Sequence, residues 1–103
     1  MNMSSKKYEI VYNFLREFFD NEFYDVAIKN VKNEIDVNIN FKLTWQQIKD
    51  IICNQQLSNG EPLSLVQDGA NQVLDENSDK EAYVWFDKMM LNIERNDGNI
   101  DKY

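Results

Sequence analysis

Residues 63–94, LSLVQDGANQVLDENSDKEAYVWFDKMMLNIE, carry the firmest helix signal in the chain and most of its later carboxylates. Ser78 and Glu81 form an S-x-x-E capping box: the hydroxyl can accept from the amide three residues on, and the carboxylate can reach back to the Ser78 N–H. Asp79 and Glu81 sit in the first turn, where the positive end of the helix dipole favours anions. Ala82, Trp85, Phe86, Met89 and Ile93 then recur at steps of three and four, one buried helical face. Tyr83 and Met90 widen that stripe, and Val84 and Leu91 lie opposite. Upstream, Leu63, Val66, Ala70, Val73 and Leu74 fit a second helical face, with Pro62 suited to a first helical position. Gly69 opposes a continuous helix, because glycine costs about 1 kcal/mol there relative to alanine. Asp68-Gly69 is equally readable as a turn that ends a short helix. In both readings residues 75–79 are a polar connection, and Asn77 suits the left-handed conformation.

Further back, Thr44 and Gln47 spell the T-x-x-Q form of the same cap, with Leu43 and Ile48 as its hydrophobic staple. Trp45, Ile48, Ile51, Ile52 and Leu57 give that helix a buried side, and Asn59-Gly60 is expected to end it. Before it, Ile35, Val37, Ile39, Phe41 and Leu43 alternate with Asp36, Asn38, Asn40 and Lys42. Period two is a strand signature. Yet no other segment offers an equally clear strand to pair with, and unpaired backbone groups are costly when buried. The expectation is an extended segment near 35–43, clamped across the helices by its apolar side. A hairpin with residues 24–28 and an edge open to a partner strand are the alternatives. Tyr24, Ala27, Ile28, Val31 and Ile35 favour a second helix over a strand at 24–28. The first helix is expected from a Ser4 cap, stapled by Met3 and Tyr8, to about Asp20. Its buried face is Tyr8, Val11, Tyr12, Leu15, Phe18 and Phe19, and the last two read as core rather than ligand-facing. The fold expected is mainly α: a single-domain bundle of four to five helices over 1–95, with 96–103 a flexible tail. An α+β fold with a small hairpin over 24–42 is the alternative.

Composition excludes more than it assigns. With 103 residues the chain suits one domain, and six Phe, five Tyr and two Trp can build its core. Histidine is absent and Cys53 is the lone cysteine. That removes the commonest general base, the commonest zinc ligand and the Ser-His and Cys-His nucleophile pairs. Cys53, beside Ile51 and Ile52, reads as a small buried hydrophobe. Only three glycines are present, and no phosphate-cradling or calcium-binding loop can be drawn. The expectation is a protein that is not an enzyme and holds no cofactor or metal. No apolar run approaches membrane-spanning length, no signal-peptide pattern follows Lys6 and Lys7, and a lone cysteine suits a reducing cytoplasm.

Charge is the informative quantity. The net charge is -7, and it is unevenly spread: residues 1–50 hold seven Lys/Arg against eight Asp/Glu, residues 51–103 four against ten. An acidic half repels nucleic acid and anionic membranes and attracts a basic protein. Helices flanking the Gly60 turn invite a helix-turn-helix reading. The second of them carries Glu61, Asp68, Asp75 and Glu76 with no Lys or Arg, so it would enter a major groove at an electrostatic loss.

The pattern Leu65-Val66, Gly69-Ala70-Asn71, Leu74-Asp75, Asn77-Ser78-Asp79, Glu81-Ala82 and Trp85 resembles the C-terminal portion of small bacterial immunity proteins. These are encoded beside contact-dependent growth-inhibition or colicin-type toxins. The resemblance covers about a third of the chain. It implies a cytoplasmic monomer that forms a heterodimer with one cognate toxin, often a nuclease acting on tRNA or DNA. Nucleases are basic where they grip polyanions, so an acidic inhibitor can compete for the same Lys and Arg residues. The candidate partner-binding residues are Asp68, Asp75, Glu76, Asp79, Glu81 and Asp87, with Tyr83 as aromatic anchor. An acidic adaptor, or a phage-type inhibitor that mimics nucleic acid, is the alternative.

Overall fold

The computed structural model describes residues 6–95 and residue 100. Five α-helices follow one another: α1 Lys6–Phe18, α2 Tyr24–Val37, α3 Ile39–Cys53, α4 Glu61–Ser64 and α5 Asp79–Glu94. Helix α4 is a single turn that runs directly into a π-helical turn, Leu65–Gly69. Among the described residues there is no strand. The Cα radius of gyration is 13.0 Å, the value of about 13 Å expected for a compact chain of this length.

Each helix buries most of the stripe that its periodicity marks. In α1, however, Phe14 is in the core while Tyr8 and Tyr12, expected on the buried face, are only partly buried, as is Ile35 of α2. Val11, Phe14, Leu15 and Phe18 of α1 meet Ala27, Ile28 and Val31 of α2, Trp45, Ile48, Ile51 and Ile52 of α3, and Ala82, Trp85, Phe86, Met89 and Ile93 of α5 in one core. Phe18 and Phe19 are both buried. Two aromatic groups share Phe19. Phe14 stacks or tilts against Phe18, Phe41 and Trp45, and Phe19 lies edge-on to Phe14 at 5.8 Å and to Trp85 at 5.5 Å. Such pairs add about 0.5–1.5 kcal/mol beyond the area they bury.

The expected extended segment at 35–43 is helical instead, and so the hairpin alternative over 24–42 falls too. One residue separates α2 from α3. Asn38 leaves the helical conformation, donates its backbone N–H to Glu34 O at 2.9 Å and accepts the Phe41 amide on its side-chain oxygen at 3.1 Å. Its Nδ2 donates to the Glu34 carboxylate at 2.8 Å. One asparagine therefore closes one helix and opens the next. Thr44 lies inside α3, so the T-x-x-Q cap expected there does not form. Its hydroxyl instead donates to Asn40 O at 3.2 Å, the back-bond available to a mid-helix threonine.

Helix α3 ends at Cys53, six residues before the expected stop at Asn59. Gln55 takes the left-handed conformation (φ 49°), its N–H bonding Ile52 O and the Gln56 N–H bonding Ile51 O. This pairing satisfies the last carbonyls of a helix. Cys53 is exposed, not buried. Ile52 faces the core, and one helical step of about 100° turns the next residue away from it.

The segment after Pro62 resolves in favour of the short helix. Gly69 is buried where a Cβ would come within 3.3 Å of Leu15, so the glycine permits α1 to approach. Asn71 (φ 56°) then turns the chain away. Val73, expected on a buried helical face, stands in solvent, while Leu74 is buried. The Ser4 cap and Met3 staple fall outside the described residues. So does the expected tail at 96–103 except for Ile100, whose partly buried side chain packs on the core.

Candidate functional site

Helix α5 is tied down differently at its two ends. At its C-terminal end, Lys32 Nζ donates to Arg95 O at 2.8 Å and Asn92 Nδ2 to the Tyr24 hydroxyl at 2.9 Å. Glu94 accepts from Lys49 Nζ at 2.6 Å and from Trp45 Nε1 at 3.2 Å. Burial alone would raise the Glu94 carboxyl; the hydrogen bonds from Lys49 and Trp45 and the Lys49 charge outweigh it and hold the pKa below the ordinary value.

At its N-terminal end the Ser78 hydroxyl accepts the Glu81 amide at 3.1 Å, as the capping box requires. The Glu81 carboxylate accepts the Glu76 N–H, which draws the preceding loop against the helix. Asn77 is left-handed (φ 48°), and its side-chain oxygen takes a 2.6 Å bond from Gln67. Asp79 accepts the Gly60 N–H at 2.7 Å and the Leu63 N–H at 3.1 Å. It thereby caps α4, whose own N-cap, Gly60 (φ 86°), has no side chain to do so.

Two open hollows flank the exposed ridge formed by Lys80 and Val84, one helical turn apart. One, of about 530 Å³, is lined by Asp79, Tyr83 and Asp87 of α5 with Leu57, Pro62 and their neighbours. The other, of about 610 Å³, is lined by Val73, Asp75, Glu76 and Glu81. Six of the seven candidates thus gather around the first turns of α5, where five carboxylates and one ammonium line the two hollows. Asp68 lines neither: it is exposed on the π-helical turn and accepts from Ser64 Oγ at 3.3 Å. Tyr83 is half-buried. Burial first, then the charges of Asp79 and Glu61, raise its pKa against an opposing hydrogen bond from the Leu57 backbone.

The sequence did not mark Val73, Lys80 or Val84 as part of this surface. Val73 is 90% exposed and Val84 48%. The position of Val84 opposite the buried stripe of α5 was the available signal. No signal placed Val73, because its helical spacing from Val66 and Ala70 points the wrong way. Among the described residues, no three Asp, Glu or Cys side chains converge to hold a metal ion, and no helix is long and apolar enough to cross a membrane. Compared with known protein families, with characterised proteins and with solved structures, the chain matches none of them.

Proposed function

We propose that this protein is an immunity protein that binds and neutralises a basic nuclease toxin through the surface at the start of α5. The observation that supports this reading is the concentration of Asp75, Glu76, Glu81 and Asp87 beside two exposed valines and a half-buried tyrosine. Carboxylates of that density attract Lys and Arg and speed encounter with a cationic surface. The apolar and aromatic groups give such an encounter something to bury. Asp79 serves the frame more than the partner, since both of its oxygens already hold the α4 start. The complex forms in the cytoplasm, where the toxin would act, and covers groups that the nuclease uses to hold nucleic acid.

The test begins with the reading frames beside the gene: one should encode a large toxin whose C-terminal domain is basic. That domain, purified with its catalytic residues disabled, should bind this protein stoichiometrically, and the active domain should lose its nuclease activity on mixing. A domain that neither binds nor is inhibited would end the proposal.

A further inference from the structure

We infer that the loop over residues 70–78 is a preformed anchor that seats Val73 in an apolar pocket rimmed by Lys and Arg on a basic protein partner. This rests on the function proposed above. Val73 is the most exposed large apolar side chain among the described residues, at 90%. It is not on a slack loop. Leu74, the next residue, is buried in the core. The Gln72 N–H bonds Val66 O at 3.1 Å, Gln67 holds Asn77 at 2.6 Å, and the Glu76 N–H is held by Glu81. Asn71 and Asn77 both stand in the left-handed region, which asparagine adopts more readily than other residues that carry a side chain. A loop fixed at so many points keeps one conformation, so little ordering entropy remains to be lost when a partner arrives.

Charge selects the occupant. Val73 shares its hollow with Val84 and with Asp75, Glu76, Glu81 and Lys80, so three carboxylates outnumber one ammonium. A second copy of this chain would bring the same carboxylates together, and a nucleic acid would bring phosphates, both repelled at close range. A protein surface with cations around an apolar pocket satisfies both parts of the hollow. The valine then governs how long the complex lasts and the carboxylates how fast it forms.

The experiment uses the toxin domain encoded beside this chain, with binding followed by stopped flow over a range of salt concentrations. Val73→Ser should weaken the complex at least about tenfold. The loss should lie in dissociation, with the association rate and its salt dependence unchanged. Val73→Ile should retain binding. All these proteins should melt as the wild type does, since the side chain at position 73 is almost wholly in solvent. The double variant Asp75→Lys, Glu76→Lys should show the converse: slower association and a flatter salt dependence. If the charge variant behaves so while Val73→Ser binds like wild type, the anchor is wrong and the proposed function stands. If the wild-type protein does not bind the domain, both fall. A concentration-dependent dimer of the free protein that is lost in Val73→Ser would also overturn the anchor, by making the valine a self-contact.

Discussion

At the start of α3 the Asn38 side chain accepts the Phe41 amide at 3.1 Å; at the start of α5 the Ser78 hydroxyl accepts the Glu81 amide at the same distance. The two caps do the same work on the backbone, yet the surfaces around them differ in charge: in the hollow beside Asn38, Asp36 and Lys42 balance each other, and in the one beside Ser78 carboxylates are in excess. Around Asn38 stand Val37, Ile39 and Leu43, 70%, 69% and 61% exposed. Around Ser78 stand Asp75, Glu76, Glu81 and Lys80, with Val73 and Val84. A cap fixes where a helix begins and says nothing of what its outer face is for. That face is set mostly by residues whose side chains hold none of the fold, Glu81 with its bond from the Glu76 N–H excepted. Their chemistry is therefore the better guide to a partner.

Substitutions at the two caps separate their contributions. The largest loss of stability is expected from Asn38→Ala, which removes the bonds to both Phe41 and Glu34. The cost should be about 2 kcal/mol by urea denaturation. Ser78→Ala should cost about half as much, roughly 1 kcal/mol, because only the amide of Glu81 is bonded by that hydroxyl. Equal losses would mean that the asparagine's second bond contributes nothing. Asp79→Ala sharpens the division within the acidic surface itself. It should lower stability by about 1.5 kcal/mol through the freed Gly60 and Leu63 amides, while Asp75→Ala leaves the denaturation midpoint unchanged. The smallest effect is expected at the far end of α5. Glu94 has a depressed pKa, so its contribution is complete above the ordinary carboxylate range and is lost as the pH falls through that range and below. Glu94→Gln should therefore lie closest to wild type under strongly acidic conditions and fall short of it near neutrality, in denaturation midpoints measured across that interval.

Most of α5 could be read directly. Ala82, Trp85, Phe86, Met89 and Ile93 are buried, Val84 and Leu91 exposed, Asn77 left-handed and Ser78 the cap. There the helical period, the cap and the polar flank all agree. At 35–43 two signals competed. The alternation from Ile35 to Leu43 spans the end of one helix and the start of another, and it arises because a single residue, Asn38, shifts the phase between them. Phe41, Trp45, Ile48 and Ile52 carry the true period of α3 beyond the break; Phe41 is partly buried and the other three are fully so. The early stop of α3 was hidden for another reason. Gln55 adopts a conformation usually left to glycine or asparagine, and the nearby Asn59-Gly60 offered the conventional signal. Within the site, the sequence located the carboxylates but could not tell Asp79, spent on the α4 cap, from Asp75 and Glu76, which lie open to solvent. That distinction depends on contacts between helices far apart along the chain.

If the face at the start of α5 draws in a cationic protein, the association rate with the neighbouring toxin domain must respond to ionic strength. The rate should fall steeply for the wild type, and should be slower and less sensitive to salt for the protein carrying Asp75→Lys and Glu76→Lys. Identical salt profiles for the two proteins would contradict it.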